Sequence, residues 1–125
     1  MYAAAGKRDQ KSKHVVATNL IGEEPFAVST QVLAEFYTNV TRKGLLPMSR
    51  IEALDWVERF AEQICVPVDT TIVRNGIRLS GRYGISYWDA AIIAAAEAAG
   101  APTLFTEDLN HGQMYGSVCA VNPFL

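Results

Sequence analysis

The stretch ISYWDAAIIAAAEAAG, residues 85–100, sets the framework for interpreting the rest of the sequence. From Ala90 to Ala99 the only polar residue is Glu97, so we predict a helix that is buried on most sides. Ser86 and Asp89 stand just before this run at the spacing of a capping box. An acid in the first turn also complements the helix dipole, by about 0.3–1 kcal/mol. The pattern therefore explains Asp89 as a helix cap. Whether Asp89 also has a catalytic role depends on where the other acids lie.

Length and composition indicate one globular domain covering residues 1–125. Of the 125 residues, 50% are apolar and 19% charged, which is sufficient for a buried core. A net charge of −2 gives no general attraction to nucleic acid or to a membrane surface. Cys65 and Cys119 match no metal-binding spacing and are predicted to be buried free thiols of a cytoplasmic protein. No apolar run is long enough to span a membrane.

Short predicted strands alternate with predicted helices along the chain. The strands are Phe26–Ser29, Ile64–Val68, in which Pro67 favours an edge position, Thr103–Thr106 and Val118–Asn122. The helices are Lys13–Ile21, the segment from Val32 to Val40, which Gly44 follows, Ser49–Glu62, Thr70–Tyr83 and the opening stretch. This alternation predicts an α/β fold with a mostly parallel, short-stranded sheet flanked by helices. In such sheets ligands bind at the carboxyl ends of the strands.

Three more acids lie where the predicted strands end or near them. Glu35 falls about 60° beyond the apolar arc of its helix, which places it at the border of the buried face. Glu107 and Asp108 directly follow the strand TLFT. A solvated boundary position and ordinary turn chemistry are the simpler explanations. Alternatively, the carboxylates share one cleft, where they would repel each other unless a hard cation such as Mg²⁺ or Mn²⁺ neutralised them.

The basic residues leave two interpretations open. Arg74, Arg78 and Arg82 recur every four residues and so align along one helix face. They form either a solvated stripe or a row of phosphate contacts. The same two interpretations apply to the amino-terminal cluster, which consists of Lys7, Arg8, Lys11, Lys13 and His14.

Two other kinds of site receive no support from the sequence. His14 and His111 are far apart and have no zinc-ligand or triad spacing, and His111 is predicted to lie in a loop. No phosphate-binding glycine motif is present, so nothing indicates a nucleotide cofactor.

Three blocks of the sequence resemble a known family. STQVLAEFYTNVTRKG (residues 29–44), YGISYWDAAIIAAAEAAG (83–100) and TLFTEDLNHGQMYGSVCAVNPF (103–124) resemble successive blocks of the PIN domain, in the branch of VapC-type toxins of type II toxin–antitoxin systems. The resemblance implies an Mg²⁺- or Mn²⁺-dependent endoribonuclease that hydrolyses RNA phosphodiester bonds. It also implies inhibition by a small VapB-type antitoxin and assembly as a homodimer.

The resemblance also implies roles for particular acids. Glu35 corresponds to the acid of the QVLAEF helix, Asp89 to that of WDA and Asp108 to that of TEDL. These three are the implied catalytic and metal-binding residues. Glu107 and Ser86 are expected to support them, and the three arginines at positions 74, 78 and 82 are candidates to bind RNA.

One block of the family has no full counterpart here. The family's first acid lies on a central opening strand of the form hhDTNhhh (h, hydrophobic), and MYAAAGKRDQ resembles only the tail of that block. We therefore expect that Met1 lies inside a longer frame, or that another chain or a displaced segment fills the gap. Two hypotheses follow: a ribonuclease toxin with weak or absent activity, or a catalytically silent PIN module that binds an antitoxin or a homologous partner.

Overall fold

The structure, a computed structural model, describes residues 26–42 and 47–125. In chain order its elements are β1 (Ala27–Ser29), α1 (Thr30–Val40), α2 (Arg50–Ala61), β2 (Ile64–Val66), α3 (Thr70–Tyr83), α4 (Tyr87–Ala98), β3 (Thr103–Phe105), β4 (Met114–Tyr115) and β5 (Val118–Val121). This is the predicted mixed α/β architecture. The predicted helix Lys13–Ile21 and the amino-terminal basic cluster lie outside the described residues.

The described strands form two small sheets. β1 and β2 pair in parallel, with Ala27 opposite Ile64 and Ser29 opposite Val66. β3 and β5 also pair in parallel, while β4 adds to β5 in antiparallel orientation. The mostly parallel pairing agrees with the prediction. β4 was not predicted, and β2 ends at Val66 instead of Val68, because Pro67 has no N–H with which to continue a ladder.

Each described helix begins with a polar side chain that accepts a hydrogen bond from a backbone N–H three residues later. Ser49 and Ser86 form the two predicted capping boxes, because their hydroxyls also lie within hydrogen-bond distance of the Glu52 and Asp89 carboxylates, at 3.1 and 3.0 Å. Ser29 and Asp69 complete the set, with the N–H groups of Val32 and Ile72 as donors. These local bonds satisfy donors that the first helical turn leaves open, so each helix starts directly after its cap. α1 starts two residues before the predicted Val32, because Ser29 caps it.

The core is built around α4, as its composition predicts. Its buried residues are Ala90, Ala91, Ile93, Ala94 and Ala95. They join a cluster that includes residues of α3, β3 and β5, namely Ile72, Leu79, Leu104, Val118 and Ala120. A second, smaller cluster links β1 to α1 and α2 through Val28, Phe36 and Phe60, with the two aromatic rings edge to face at 5.1 Å.

The two cysteines are free, as predicted, but only partly buried. Cys65 lies on β2 and packs against the smaller cluster. Cys119 lies on β5, on the opposite face from the buried Val118 and Ala120. The prediction of buried thiols is wrong, because both side chains keep part of their surface exposed.

Two glycines of α3 provide a matched test of how closely α3 and α4 approach. A Cβ at Gly76 would lie 3.1 Å from the Tyr87 ring and 3.2 Å from the Cα of Ala91, whereas a Cβ at Gly81 meets nothing within 4 Å. We expect Gly76→Ala to lower the free energy of unfolding by about 1–3 kcal/mol, because the backbone of α4 cannot yield. Gly81→Ala should raise it by about 0.5–1 kcal/mol through helix propensity.

Urea denaturation of both variants checks this expectation. A stabilising Gly76→Ala substitution would contradict the close approach of the two helices.

Candidate functional site

Gln31 connects the first turn of α1 to the first turn of α4. Its side-chain nitrogen donates to Glu35 Oε1 at 2.9 Å and to the backbone carbonyl of Trp88 at 3.2 Å. Trp88 immediately precedes Asp89. One amide group thus holds the Glu35 carboxylate beside the amino end of the helix that carries Asp89, although the two acids are far apart in sequence.

Asp89 is a half-buried cap residue of α4. The Ser86 hydroxyl donates to Asp89 Oδ2 at 3.0 Å and accepts from the Asp89 N–H at 3.1 Å. These bonds orient the carboxylate at the positive end of the helix dipole. The capping role is therefore confirmed, and it leaves the second carboxylate oxygen, Oδ1, outside the bond to Ser86.

Asp108 and Glu107 follow the carboxyl end of β3, as predicted. The Asp108 N–H donates to the Thr106 hydroxyl at 3.1 Å, which fixes the start of the loop. The Asp108 side chain is exposed and that of Glu107 is half-buried. Both acids therefore lie in the loop that leaves the sheet at this point.

The path of the chain from α4 to Asp108 runs through β3. α4 starts beside α1, and its last residues lead through a short turn into β3. β3 pairs with β5 and packs against α4, and the loop that carries Glu107 and Asp108 follows it.

The positions of the acids do not form a complete metal site among the described residues. Across residues 26–42 and 47–125, no group of three or more His, Cys, Asp or Glu side chains is close enough to hold one ion. The donor chemistry fits Mg²⁺ or Mn²⁺, because both prefer carboxylate oxygens. The structure thus links Glu35, through Gln31, to the backbone carbonyl of the residue before Asp89, and Asp108 lies in a separate loop after β3.

The arginine stripe is exposed on α3, as expected for either interpretation. Arg74, Arg78 and Arg82 all have solvent-exposed side chains. Arg78 donates to the Asn75 side chain, and the Arg82 guanidinium lies 5.1 Å from the centre of the Tyr83 ring. The exposed faces of these side chains are accessible to a partner.

Two residues have roles that the sequence did not reveal. Gln31 lies four positions before Glu35, a spacing at which helix side chains meet, and this spacing was the available signal. Glu97 accepts bonds from both the N–H and the hydroxyl of Ser117, each at 3.1 Å. Glu97 therefore holds the turn between β4 and β5 and belongs to the scaffold.

His111 lies in a loop, as predicted, and its Nδ1 accepts a hydrogen bond from the Asn122 N–H.

Comparison with known families decides the assignment. The sequence profile of the PIN domain matches residues 2–116. The chain belongs to the PIN domain family. PIN domains are generally nucleases that act on RNA or DNA, typically with divalent metal ions, so the family resemblance seen in the sequence is confirmed at this level. A search of characterised proteins found none with significant similarity to the chain. None of the helices in the described residues has the length and apolarity needed to cross a membrane.

Ser86 and Ser49 offer a matched test of the cap beside the site. Both serines make the same pair of bonds to a residue three positions later, Ser86 in α4 and Ser49 in α2. We expect Ser86→Ala and Ser49→Ala each to lower the free energy of unfolding by about 1 kcal/mol. Only Ser86→Ala should also lower metal-dependent cleavage, by about 10–100-fold, because it releases a candidate metal ligand.

Thermal melts and cleavage assays on the two variants separate these effects. An equal decrease of cleavage in both variants would show that the Ser86 hydroxyl contributes only to stability.

Proposed function

We propose that this PIN domain protein is a metal-dependent endoribonuclease of the VapC toxin type that hydrolyses RNA phosphodiester bonds. The observation that carries the proposal is the Gln31 bridge, which holds Glu35 beside the capped amino end of α4. Glu35 is exposed, and the bridge ties its carboxylate to the backbone of the residue before Asp89. In a nuclease, the same link positions two carboxylates for one ion.

We further propose that Glu35, Asp89 and Asp108 hold Mg²⁺ or Mn²⁺. When bound, the ion acts as a Lewis acid and lowers the pKa of a coordinated water. The side chains of the chain itself set the geometry. Ser86 fixes the rotation of the Asp89 carboxylate, Gln31 that of Glu35, and Glu107 supports the loop of Asp108. A cation shared by the three carboxylates would offset their mutual repulsion.

The exposed arginines of α3 supply the positive charge that the chain as a whole lacks. We propose that Arg74, Arg78 and Arg82 bind phosphates of the RNA on either side of the cleaved bond. Guanidinium groups bind phosphate through paired N–H donors. Their spacing of four residues aligns them along one face, which suits a linear strand.

The partners follow from the VapC-type assignment. We propose that a VapB-type antitoxin inhibits the protein in the cytoplasm and that the active form is a homodimer. Support comes from apolar side chains that the described residues leave on the surface. Ile51 and Leu54 on α2 are 83% and 54% exposed, and Trp88 on α4 is 66% exposed. Contiguous exposed apolar side chains mark protein–protein contacts, and Ile51 and Leu54 lie on one face of α2, three residues apart.

A catalytically silent PIN module is the second candidate. The finding that favours it is that the described residues contain no group of three potential ligands close enough for one ion. Such a module would bind an antitoxin or a homologous chain and would cleave nothing.

Substitution of Asp89 separates the two candidates. The toxin proposal predicts that the chain cleaves RNA in Mg²⁺ and that Asp89→Asn abolishes cleavage, since the amide removes charge without changing size. Asp55→Asn is the matched control, because Asp55 is an exposed acid on α2 paired with Arg59.

Gel analysis of RNA incubated with Mg²⁺ or with EDTA provides the measurement. No cleavage by the unmodified chain would favour the silent module. Cleavage that survives Asp89→Asn would contradict the site assignment.

Salt dependence tests the arginine stripe. Removal of one phosphate-binding side chain should reduce the slope of log affinity against log salt by about 0.7 for single-stranded RNA. We expect Arg78→Gln to flatten the slope by this amount and Arg59→Gln, on α2, to leave it unchanged. Binding titrations of a labelled RNA with the Asp89→Asn protein measure both slopes without cleavage. An unchanged slope for Arg78→Gln would show that the Arg78 side chain faces solvent and does not contact the RNA.

A further inference from the structure

Trp88 places a large aromatic side chain on the surface directly beside a candidate metal ligand. It is 66% exposed, although tryptophan is highly buried on average in folded proteins. It lies in the first turn of α4 and immediately precedes Asp89. Single exposed apolar residues are common on protein surfaces, so the surroundings of Trp88 decide whether its exposure has a role.

The other tryptophan of the chain provides a contrast. Trp56 on α2 is 38% exposed. Its ring centre lies 5.7 Å from that of Phe60, and the Arg59 guanidinium lies 5.3 Å from the Trp56 ring. Packing within α2 therefore accounts for Trp56, whereas most of the Trp88 side chain remains in contact with water.

The peptide group that joins Trp88 to Asp89 is hydrogen-bonded at both ends. The Trp88 carbonyl accepts from the Gln31 side chain at 3.2 Å, and the Asp89 N–H donates to the Ser86 hydroxyl at 3.1 Å. A peptide group is planar, so these two bonds fix its orientation. The directions in which the two side chains leave the helix are therefore fixed as well.

The ring of Trp88 is held by an anchored neighbour. The ring centres of Tyr87 and Trp88 lie 5.1 Å apart in an edge-to-face contact. Tyr87 is half-buried, and its ring lies against α3 at Gly76, where a Cβ would be 3.1 Å away from it. An edge-to-face contact occupies at most one face of the indole. The ring is thus preorganised, which lowers the entropy cost of binding a ligand on its exposed surface.

We propose that Trp88 stacks on a base of the RNA next to the cleaved phosphodiester bond. The proposal rests on the function proposed above, in which Asp89 helps to hold the ion at that bond. Side chains of consecutive helix residues diverge by about 100°, so the indole lies beside the Asp89 carboxylate and not across it. A phosphate can therefore approach the carboxylate while the adjacent base lies on the indole.

Stacking would supply an attraction that the charges of the chain do not. The net charge is −2, which gives RNA no general attraction. Every base has a π face, and loss of a stacking aromatic ring lowers affinity by about 5–150-fold per base. The indole carries no charge, so its removal should leave the salt dependence of binding unchanged, unlike the removal of Arg78.

Tryptophan fluorescence tests the contact directly, because the chain has two tryptophans. Trp56→Phe leaves Trp88 as the only reporter, and Trp88→Phe leaves Trp56. Both proteins also carry Asp89→Asn, so that the RNA is not cleaved. We expect a short oligoadenylate to quench the emission of Trp88 and to leave that of Trp56 unchanged. An abasic oligonucleotide with the same number of phosphates should quench neither.

Binding titrations of the two labelled oligonucleotides provide a second test. In the same Asp89→Asn background, Trp88→Ala should lower the affinity for oligoadenylate by about 5–150-fold and leave that for the abasic oligonucleotide unchanged. Trp88→Phe should recover most of the loss, since it retains an aromatic face. Ile51→Ala is the matched control, because Ile51 is an exposed apolar residue on α2, and it should bind both oligonucleotides as the parent does.

The outcomes separate this proposal from the proposed function. Binding of oligoadenylate with unchanged Trp88 emission would overturn the stacking contact and leave RNA binding intact. Trp88 emission that shifts with protein concentration and ignores RNA would assign the ring to a contact between copies of the chain and overturn the proposal. Absence of all RNA binding would contradict the proposed function as well. Quenching of Trp88 by RNA that the unmodified chain does not cleave would support stacking and contradict only the proposed cleavage. If Trp88→Ala fails to fold, the fluorescence measurement decides.

Discussion

The burial of α4 is the constraint on which the rest of the structure depends. Eight of the twelve residues of α4 are alanine or isoleucine, so the helix gains stability when other elements cover it, at about 25 cal/mol per Å² of apolar surface. Its small side chains allow very close approach, and Gly76 of α3 provides the matching space beside Ala91. α4 therefore contacts α3 and both sheets, and its position fixes where its amino end emerges.

At that amino end, the helix cap and the bond from α1 lie side by side. Asp89 caps α4 through Ser86, and the neighbouring carbonyl of Trp88 receives the bond from Gln31 that holds Glu35. The bonds of Ser86 orient the Asp89 carboxylate, and the bond from Gln31 ties Glu35 to the same turn of backbone. Asp108 lies in a separate loop after β3. Each of the three acids thus has a structural reason for its place, independent of any metal.

Local signals predicted much of this structure. The bounds of α3 (Thr70–Tyr83) and the caps at Ser49 and Ser86 depend on residues within one turn of each other, which a sequence displays directly. β4 was not predicted, because a strand of two residues is too short to show an alternating pattern of apolar and polar residues. Its pairing with β5 depends on tertiary contact. Gln31 escaped because its partner Trp88 is 57 positions away. The candidate acids were found from strand ends and family motifs, but their distances depend on how the two sheets are spaced across α4.

The central claim is that Glu35, Asp89 and Asp108 bind one divalent ion at the amino end of α4. Paramagnetic broadening of amide signals by Mn²⁺ tests it most directly, because the effect falls steeply with distance from the ion. The account predicts that the signals of residues 35, 89 and 108 broaden together at equimolar Mn²⁺, while that of Asp55 on α2 stays sharp. Broadening at Asp108 without Glu35 and Asp89, or broadening spread over all exposed acids, would contradict it.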